Sequence, residues 1–494
     1  MRQQIQAYCK QLRDELVSNT TDPEEKRKLM QRYKINRCTP TLEQFVPELE
    51  QLVGQVTEHT RHRNTTHWTP DIHTHIASFL PFNEISTMAV NKQSLSDTNT
   101  TLNMRLAHHE VRLNARIPTT KYNYIRKLIV PSLAMYELFK RHNDLFQRLT
   151  QLRLGDDINE VLPSLPELTS LTLGRSYNQR LPECPKLITL KMGYAFNQQL
   201  HNLPNLKTLT MGYYFNRQLP DLPRLTTLRM GYEFNQGLTG LRNLTTLTMG
   251  THFNQRLPHL PQLTILTGGF TFNQPLRHLP RLTTLSMDSC YNFNHPLLDL
   301  PDLTTLTMST NYNQPLPNLP RLTQLTMGGQ YNQPLSDLPN LETLIMGAAF
   351  NQRLSNALHS LTTLTMGHTF NQQLPRLHRL TTMKMGHEFD QPLSAPELPR
   401  LTTLTMGHSF NQQLPKLPCL TTLTMGHSFN QQLPKLPRLT RLTMGSKFNQ
   451  QLPELPRLAH VTTITLADVQ YHNDVLPHVA SHNVYMTPLP LRRS

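Results

Sequence analysis

Between Ile158 and Gln450 the apolar and polar positions follow one short cycle, cleanest from Leu401 to Pro418, which reads L-T-T-L-T-M-G-H-S-F-N-Q-Q-L-P-K-L-P. In Leu401-Thr402-Thr403-Leu404-Thr405-Met406 the leucines and the methionine can point inward while Thr405, flanked by two of them, points out, as in a short strand. Thr suits the open face of such a strand. Gly407 permits a tight turn, Phe410 brings a ring back to the core, and Asn411 stands where the chain bends again. A buried Asn at every bend would bond main-chain groups that the turn leaves unpaired, and stacked copies would bond one another along the array. The return path, Leu414-Pro415-Lys416-Leu417-Pro418, holds two prolines that deny an α-helix and favour an extended run.

The Asn, replaced once by Asp390, recurs at 159, 178, 197, 216, 235, 254, 273, 294, 313, 332, 351, 371, 411, 430 and 449; twelve of the fifteen steps are 19 residues and the others 20 or 21. So short a period leaves no room for a full helix beside the strand and predicts a solenoid of sixteen coils, each stacked only on its neighbours. Parallel strands would set the coils about 4.8 Å apart. A chain of 494 residues is too long for one ordinary domain, and the array explains its length without one large core.

The repeated line resembles the FNIP repeat, a relative of the leucine-rich repeat with the hallmark L-x-x-L-x-[FM]-G-x-x-F-N-Q-[PQ]-[LI]. Phe272-Asn273-Gln274-Pro275-Leu276 and Tyr331-Asn332-Gln333-Pro334-Leu335 carry its fullest form, and Leu361 to Gln372 shows strand, glycine and F-N-Q together. The units here are a few residues shorter than those of the family.

Ahead of the array the periodicity turns helical. Ile5, Cys9, Leu12 and Leu16 share one helix face, Asp22-Pro23-Glu24-Glu25 suits a helix start, and Leu42, Phe45, Val46, Leu49, Leu52, Val53 and Val56 form another apolar face. A basic, polar stretch from Arg61 to Thr66 then leads into Trp68 to Lys92. That segment is similar to an F-box: Asp71, Ile72, Ile76, Ser78, Leu80, Pro81, Glu84, Ile85, Val90, Asn91 and Lys92 match the family pattern, whereas Trp68-Thr69 stands where Leu-Pro is usual. F-box followed by FNIP array is a known arrangement in proteins of social amoebae and of giant viruses that infect amoebae. The resemblance implies docking onto the Skp-type adaptor of a cullin-based ubiquitin ligase, with the array holding the target protein. Ile72, Ile76, Phe79, Leu80, Pro81, Ile85 and Met88 would supply the apolar patch that an adaptor groove buries.

The expected fold class is therefore α+β, an N-terminal helical F-box region followed by a parallel β-solenoid of leucine-rich-repeat-like coils. Its parts are a helical N-terminal region (1–66), the F-box-like domain (67–115), a helical linker and N-terminal cap (116–150), the array (151–466) and a C-terminal cap and tail (467–494). Leu133, Leu138, Phe139, Leu145, Phe146 and Leu149 would cover the first coil, and Leu466, Val469, Val475 and Val479 the last, because an open solenoid end exposes apolar edges.

Composition narrows the function classes. Five scattered cysteines without a C-x-x-C pair point to a reducing compartment, and neither a leader-like apolar run nor a membrane-length one occurs, so a cytoplasmic or nuclear protein is expected. Acidic residues never pair at one repeat position in adjacent coils, so no catalytic carboxylate pair is expected and no cofactor is implied. His368, His387, His408 and His427 follow the turn glycine in successive coils but lack a recurring carboxylate or thiol, and they read as a solvent-exposed ladder, with no metal site. Near the other end that position holds Tyr194, Tyr213 and Tyr232, then Thr251 and Phe270; exposed aromatic side chains are enriched in interfaces, so these aromatics are the candidate target-binding residues, with simple stacking between coils the alternative. The net charge of +15 admits a nucleic-acid partner. Arg precedes the first repeat leucine at 224, 281, 321, 379, 400, 438 and 457, but Glu167, Asn205, Asn243, Gln262, Asp302 and Asn340 hold that place elsewhere, which favours a solubilising stripe. Two other readings stay open: a free-standing repeat scaffold, and a basic nucleic-acid-binding solenoid.

Overall fold

The computed structural model describes residues 110–112, 124–394, 398–457 and 460–464, all within one compact unit, Asn99–Ser494. The expected N-terminal helices, the Ile72 to Lys92 segment and the closing segment after Thr465 lie outside the described residues.

The chain enters the sheet through β1 (Glu110–Arg112) and β2 (Lys127–Val130), crosses the end of the core with two short helices, α1 (Leu133–Phe139) and α2 (Asn143–Gln147), and begins the array with β3 (Gln151–Leu154). Fifteen further strands follow, one per repeat, ending at β18 (Arg441–Met444), and β19 (His460–Ile464) closes the described sheet. Each strand pairs in parallel with its neighbours in sequence, so the sheet runs in chain order. Register is set by one leucine per coil, as in Leu404 opposite Leu423, and a one-residue slip would turn that leucine out to solvent. The expected helical cap is thus part strand. Within it Tyr136, Phe139, Leu145, Phe146 and Leu149 are buried, whereas Leu133 and Leu138 are exposed; Tyr136 takes the inward place and its hydroxyl donates to the Val161 carbonyl at 2.7 Å.

In the coil of Leu401 the side chains of Leu401, Leu404, Met406, Phe410, Leu414 and Leu417 are all buried. Each fully buried Leu, Met or Phe contributes roughly 1.5–3 kcal/mol, and most of what covers it comes from the coils on either side. The first Thr of each L-T-T-L-T joins coils directly: the Thr402 hydroxyl donates to the Thr381 carbonyl at 2.9 Å and the Thr421 hydroxyl to that of Thr402 at 3.0 Å. The even spacing expected from sheet geometry holds only near the strands. Stacked histidines beside the strand ends repeat at 4.6 to 4.8 Å, while the buried Phe and Tyr rings repeat at 6.0 to 6.3 Å. Each coil is a wedge with the sheet at its narrow side.

The Asn ladder departs from the expectation of burial. Asn411 and Asn449 are exposed and Asn430 half-buried, yet the side chains are used: Asn411 Oδ1 accepts from the main-chain N–H of Asn430 at 2.8 Å, and Asp390 Oδ1 accepts from Asn411 N–H at 2.8 Å. A Gln one residue later adds its side-chain amide to the same oxygen, as from Gln412 at 3.2 Å. The ladder therefore caps donors of the next coil along the edge of the array.

The recurring glycine also has a different reason from the expected turn conformation. Among the described glycines only Gly240 has positive φ. A Cβ on Gly407 would instead lie 1.7 Å from the carbonyl oxygen of Gly386, one coil back. Contact between stacked turns, not backbone handedness, demands glycine here. The exceptions sit together: Asp288 begins a turn lengthened by two residues, and Ser309 follows it. In that enlarged turn Cys290 fills the space left by Gly268, which replaces the usual methionine, and burial pushes its thiol up to about 12.

Two places in the ring ladder are less favourable. The hydroxyls of Tyr312 and Tyr331 are buried without a hydrogen bond of normal geometry, the main chain of Leu297 and of Leu316 being the weak contact each has, and burial raises both phenol pKa values. Replacing both by Phe, the residue of most coils, should raise stability by about 1 kcal/mol each, since a buried unpaired hydroxyl costs roughly 1–3 kcal/mol. Urea unfolding of the double variant checks this; an unchanged or lower midpoint would show that the hydroxyls are satisfied.

Candidate functional site

The residue after each turn glycine stands in the turn that follows its strand, side by side with its counterparts, so a feature repeated there becomes a continuous column. In the first coils that column is Arg175, Tyr194, Tyr213 and Tyr232. Tyr194 and Tyr213 stack at 4.6 Å between ring centroids, and Tyr213 and Tyr232 at 4.5 Å with planes 6° apart. The Arg175 guanidinium lies over Tyr194, 5.0 Å from its centroid, and the His252 ring packs on Tyr232 at 4.5 Å. His252 is held from the side by Glu233 at 3.0 Å.

The structure thus brings three of the four predicted target-binding aromatics together and realises stacking between coils as well. Their faces are spent on one another and on Arg175 and His252, so a partner meets ring edges and hydroxyls. Tyr194 and Tyr232 remain exposed at 38% and 37%. Tyr214, one residue off the column, packs edge-on against both Tyr194 and Tyr213 at 5.0 Å. Hydrogen bonding to Tyr194 raises the Tyr214 pKa, and desolvation followed by the neighbouring Tyr232 raises that of Tyr213. Both phenols stay neutral donors well above neutral pH.

Phe270 stands two coils beyond Tyr232, apart from the stack, and pairs with Tyr291 at 6.0 Å; both are 53% exposed. Tyr214 and Tyr291 escape a reading by column position. The Tyr213-Tyr214 doublet is the available signal for the first; for the second, the two-residue insertion shifts the aromatic out of phase. At the other end of the edge, His368, His387, His408 and His427 stack face to face. His368 approaches Glu388 at 3.4 Å, and Ser446 bonds His427. Parallel imidazoles stacked like this do not converge their nitrogens on one point, and among the described residues no three metal-ligating side chains converge. Of the predicted adaptor-binding residues, Ile72, Ile76, Phe79, Leu80, Pro81, Ile85 and Met88 lie outside the described residues.

No protein-family model matches the chain, and no curated protein matches it. Among solved structures it is similar to CroV588, described as a novel circular LRR protein, at 26% identity and a TM-score of 0.58, over 74% of this chain and 63% of that one. The chain therefore spans less than two thirds of that relative. An internalin, InlF, of Listeria monocytogenes aligns at 16% identity with a TM-score of 0.37, over 63% of this chain and 96% of its own. A leucine-rich repeat protein of Bacteroides ovatus aligns at 10% identity with a TM-score of 0.15, over 74% and 85%. The array is a leucine-rich-repeat-like parallel β-solenoid. Among the described residues no helix is long and apolar enough to cross a membrane.

Proposed function

We propose that the chain is the substrate-recognition subunit of a Skp-cullin-F-box-type ubiquitin ligase, and that its array, an FNIP-type solenoid by its repeat signature, holds the target protein on the aromatic turn edge. The observation that carries the target-binding half is the pre-stacked column of Tyr194, Tyr213 and Tyr232 with Tyr214 beside it. Rings already fixed by one another lose little freedom on binding, and aromatic side chains dominate interface energetics. A row of phenol hydroxyls and electropositive ring edges suits a segment that offers carbonyl or carboxylate oxygens. The adaptor half rests on the resemblance of Trp68 to Lys92 to an F-box. The role requires no catalytic group of the chain's own.

One affinity purification from an amoebal lysate tests both halves. The parent chain should return a Skp-type adaptor, a cullin and a target. Replacing Ile76 and Leu80 by Asp places two charges in an apolar interface at a cost of several kcal/mol, so adaptor and cullin should be lost while the target stays. Replacing Tyr194, Tyr213 and Tyr232 by Ser should weaken target binding about a hundredfold and leave the adaptor in place; replacing them by Phe keeps the stack and separates lost contact from lost folding. Recovery of other proteins without adaptor or cullin would assign a free-standing scaffold.

A further inference from the structure

We propose that the return edge of the last coils binds an acidic protein segment. This surface is on a different edge and in different coils from the aromatic column, and it does not depend on the ligase reading. The positive charge of the array is concentrated at one end: residues 351–457 hold eleven Lys and Arg against four Asp and Glu, whereas 151–350 hold fourteen against twelve. The position before the first repeat leucine shows what this does to pairing. In the earlier coils each cation there is matched by the coil before it. Lys186 pairs with Glu167 at 2.7 Å, Arg224 with Asn205 Oδ1 at 2.7 Å, Arg281 with Gln262 Oε1 at 2.5 Å and Arg321 with Asp302 at 2.7 Å.

In the later coils the same position is Arg379, Arg400, Cys419, Arg438 and Arg457. All four arginines are exposed, and among the described residues their side chains have no acceptor. Three residues earlier in the coil a second column turns basic over the same coils, from Glu183, Asp221, Asp299 and Asp337 to Arg376, Lys416 and Lys435, with Glu454 the last member and Glu397, outside the described residues, standing between Arg376 and Lys416. Arg376, Lys416 and Lys435 are exposed and unpaired among the described residues too. Cations that repel one another along two adjacent columns, seven of them without an acceptor among the described residues, favour a partner that brings carboxylates. A base-stacking polyanion fits less well: the exposed Tyr and Phe side chains of the described residues all lie before residue 292, and the imidazoles of the later coils already stack on one another, whereas single-stranded nucleic acid is held by free aromatic faces as well as by charge.

The test is fluorescence anisotropy of the full chain with a short labelled poly-glutamate peptide, and with a labelled single-stranded oligonucleotide of equal length. The peptide should bind at low salt and weaken steeply as salt rises. Arg379, Arg400, Arg438 and Arg457 changed together to Gln should weaken it about tenfold or more. Lys186, Arg224, Arg281 and Arg321 changed to Gln remove the same charge from the same position and should weaken it less than about twofold. Arg-to-Lys changes at the first set should retain most binding, with unchanged circular dichroism showing that all variants fold. Absence of peptide binding, or equal losses from both sets, overturns the proposal; so does tighter binding of the oligonucleotide that depends on the first set, which would make this a nucleic-acid surface.

Discussion

Gly212→Ala should destabilise the array by about 3 kcal/mol, whereas Gly237→Ala should leave it equal or about 0.5 kcal/mol more stable. The added Cβ at 212 would lie 1.8 Å from the Gly193 carbonyl oxygen and 2.9 Å from its carbon. Backbone, unlike a side-chain tip, cannot swing aside. Relief requires the two coils to part, which stretches the Tyr214 N–H bond to the Tyr194 carbonyl, 3.1 Å, and separates the rings of Tyr194 and Tyr213. At Gly237 nothing lies within 4 Å of the same added atom, so the remaining effect is the smaller conformational freedom of the unfolded chain. Urea unfolding compares the two directly. Similar midpoints for both variants would mean that the coils slide past the clash and that the glycine column is not a packing requirement.

The same comparison shows what the sequence conveys and what it leaves out. Within one coil nearly everything is legible, because burial alternates with the residue itself: Leu401, Leu404, Met406 and Phe410 are all inside. What a neighbouring coil does is written nowhere in the period. Gly407 looks like a turn residue until the Gly386 carbonyl is placed against it. Asn411 looks like a buried polar group until its oxygen is found serving the next coil's Asn430 from an exposed edge. Tyr194, Tyr213 and Tyr232 are recognisable as exposed aromatics, but only the stacking distance shows that their faces are already occupied. The strand Lys127–Val130 is hidden for another reason. It precedes the repeat and lacks its signature, yet it pairs with Gln151–Leu154 as any coil would, since parallel pairing requires main chain and one inward leucine, not the full motif. The basic stripe is the clearest case: seven arginines at one repeat position look alike until their acceptors are seen to be present in one half of the array and absent, among the described residues, in the other.

Deleting Leu401 to Cys419, one complete coil, should leave the protein folded with melting temperature shifted by no more than about 4 °C, whereas deleting Leu401 to Phe410 should unfold several coils. The complete deletion removes β16 (Thr403–Thr405) and joins Arg400 to Leu420, restoring the P-R-L-T-T-L-T line. β15 (Thr382–Lys384) would then face β17 (Thr422–Thr424) in the register it now keeps with β16, Thr382 opposite Thr422. The contacts of the new junction are near-copies of the old: Phe389 would meet Phe429 as it now meets Phe410 at 6.1 Å, Asp390 would accept from Asn430 as it now does from Asn411, and Gly426 would take the close place of Gly407 beside the Gly386 carbonyl. The half deletion keeps the return path but loses the strand, its leucines, the turn glycine and the ring. β15 and β17 would then have no partner within reach in register, two stretches of core would open, and the Asn ladder would lose a rung without its strand. Circular dichroism and thermal unfolding of the two deletions separate the outcomes. A complete deletion as damaging as the half deletion would show that the coils depend on distant parts of the array, and that stacking between nearest neighbours does not hold the fold.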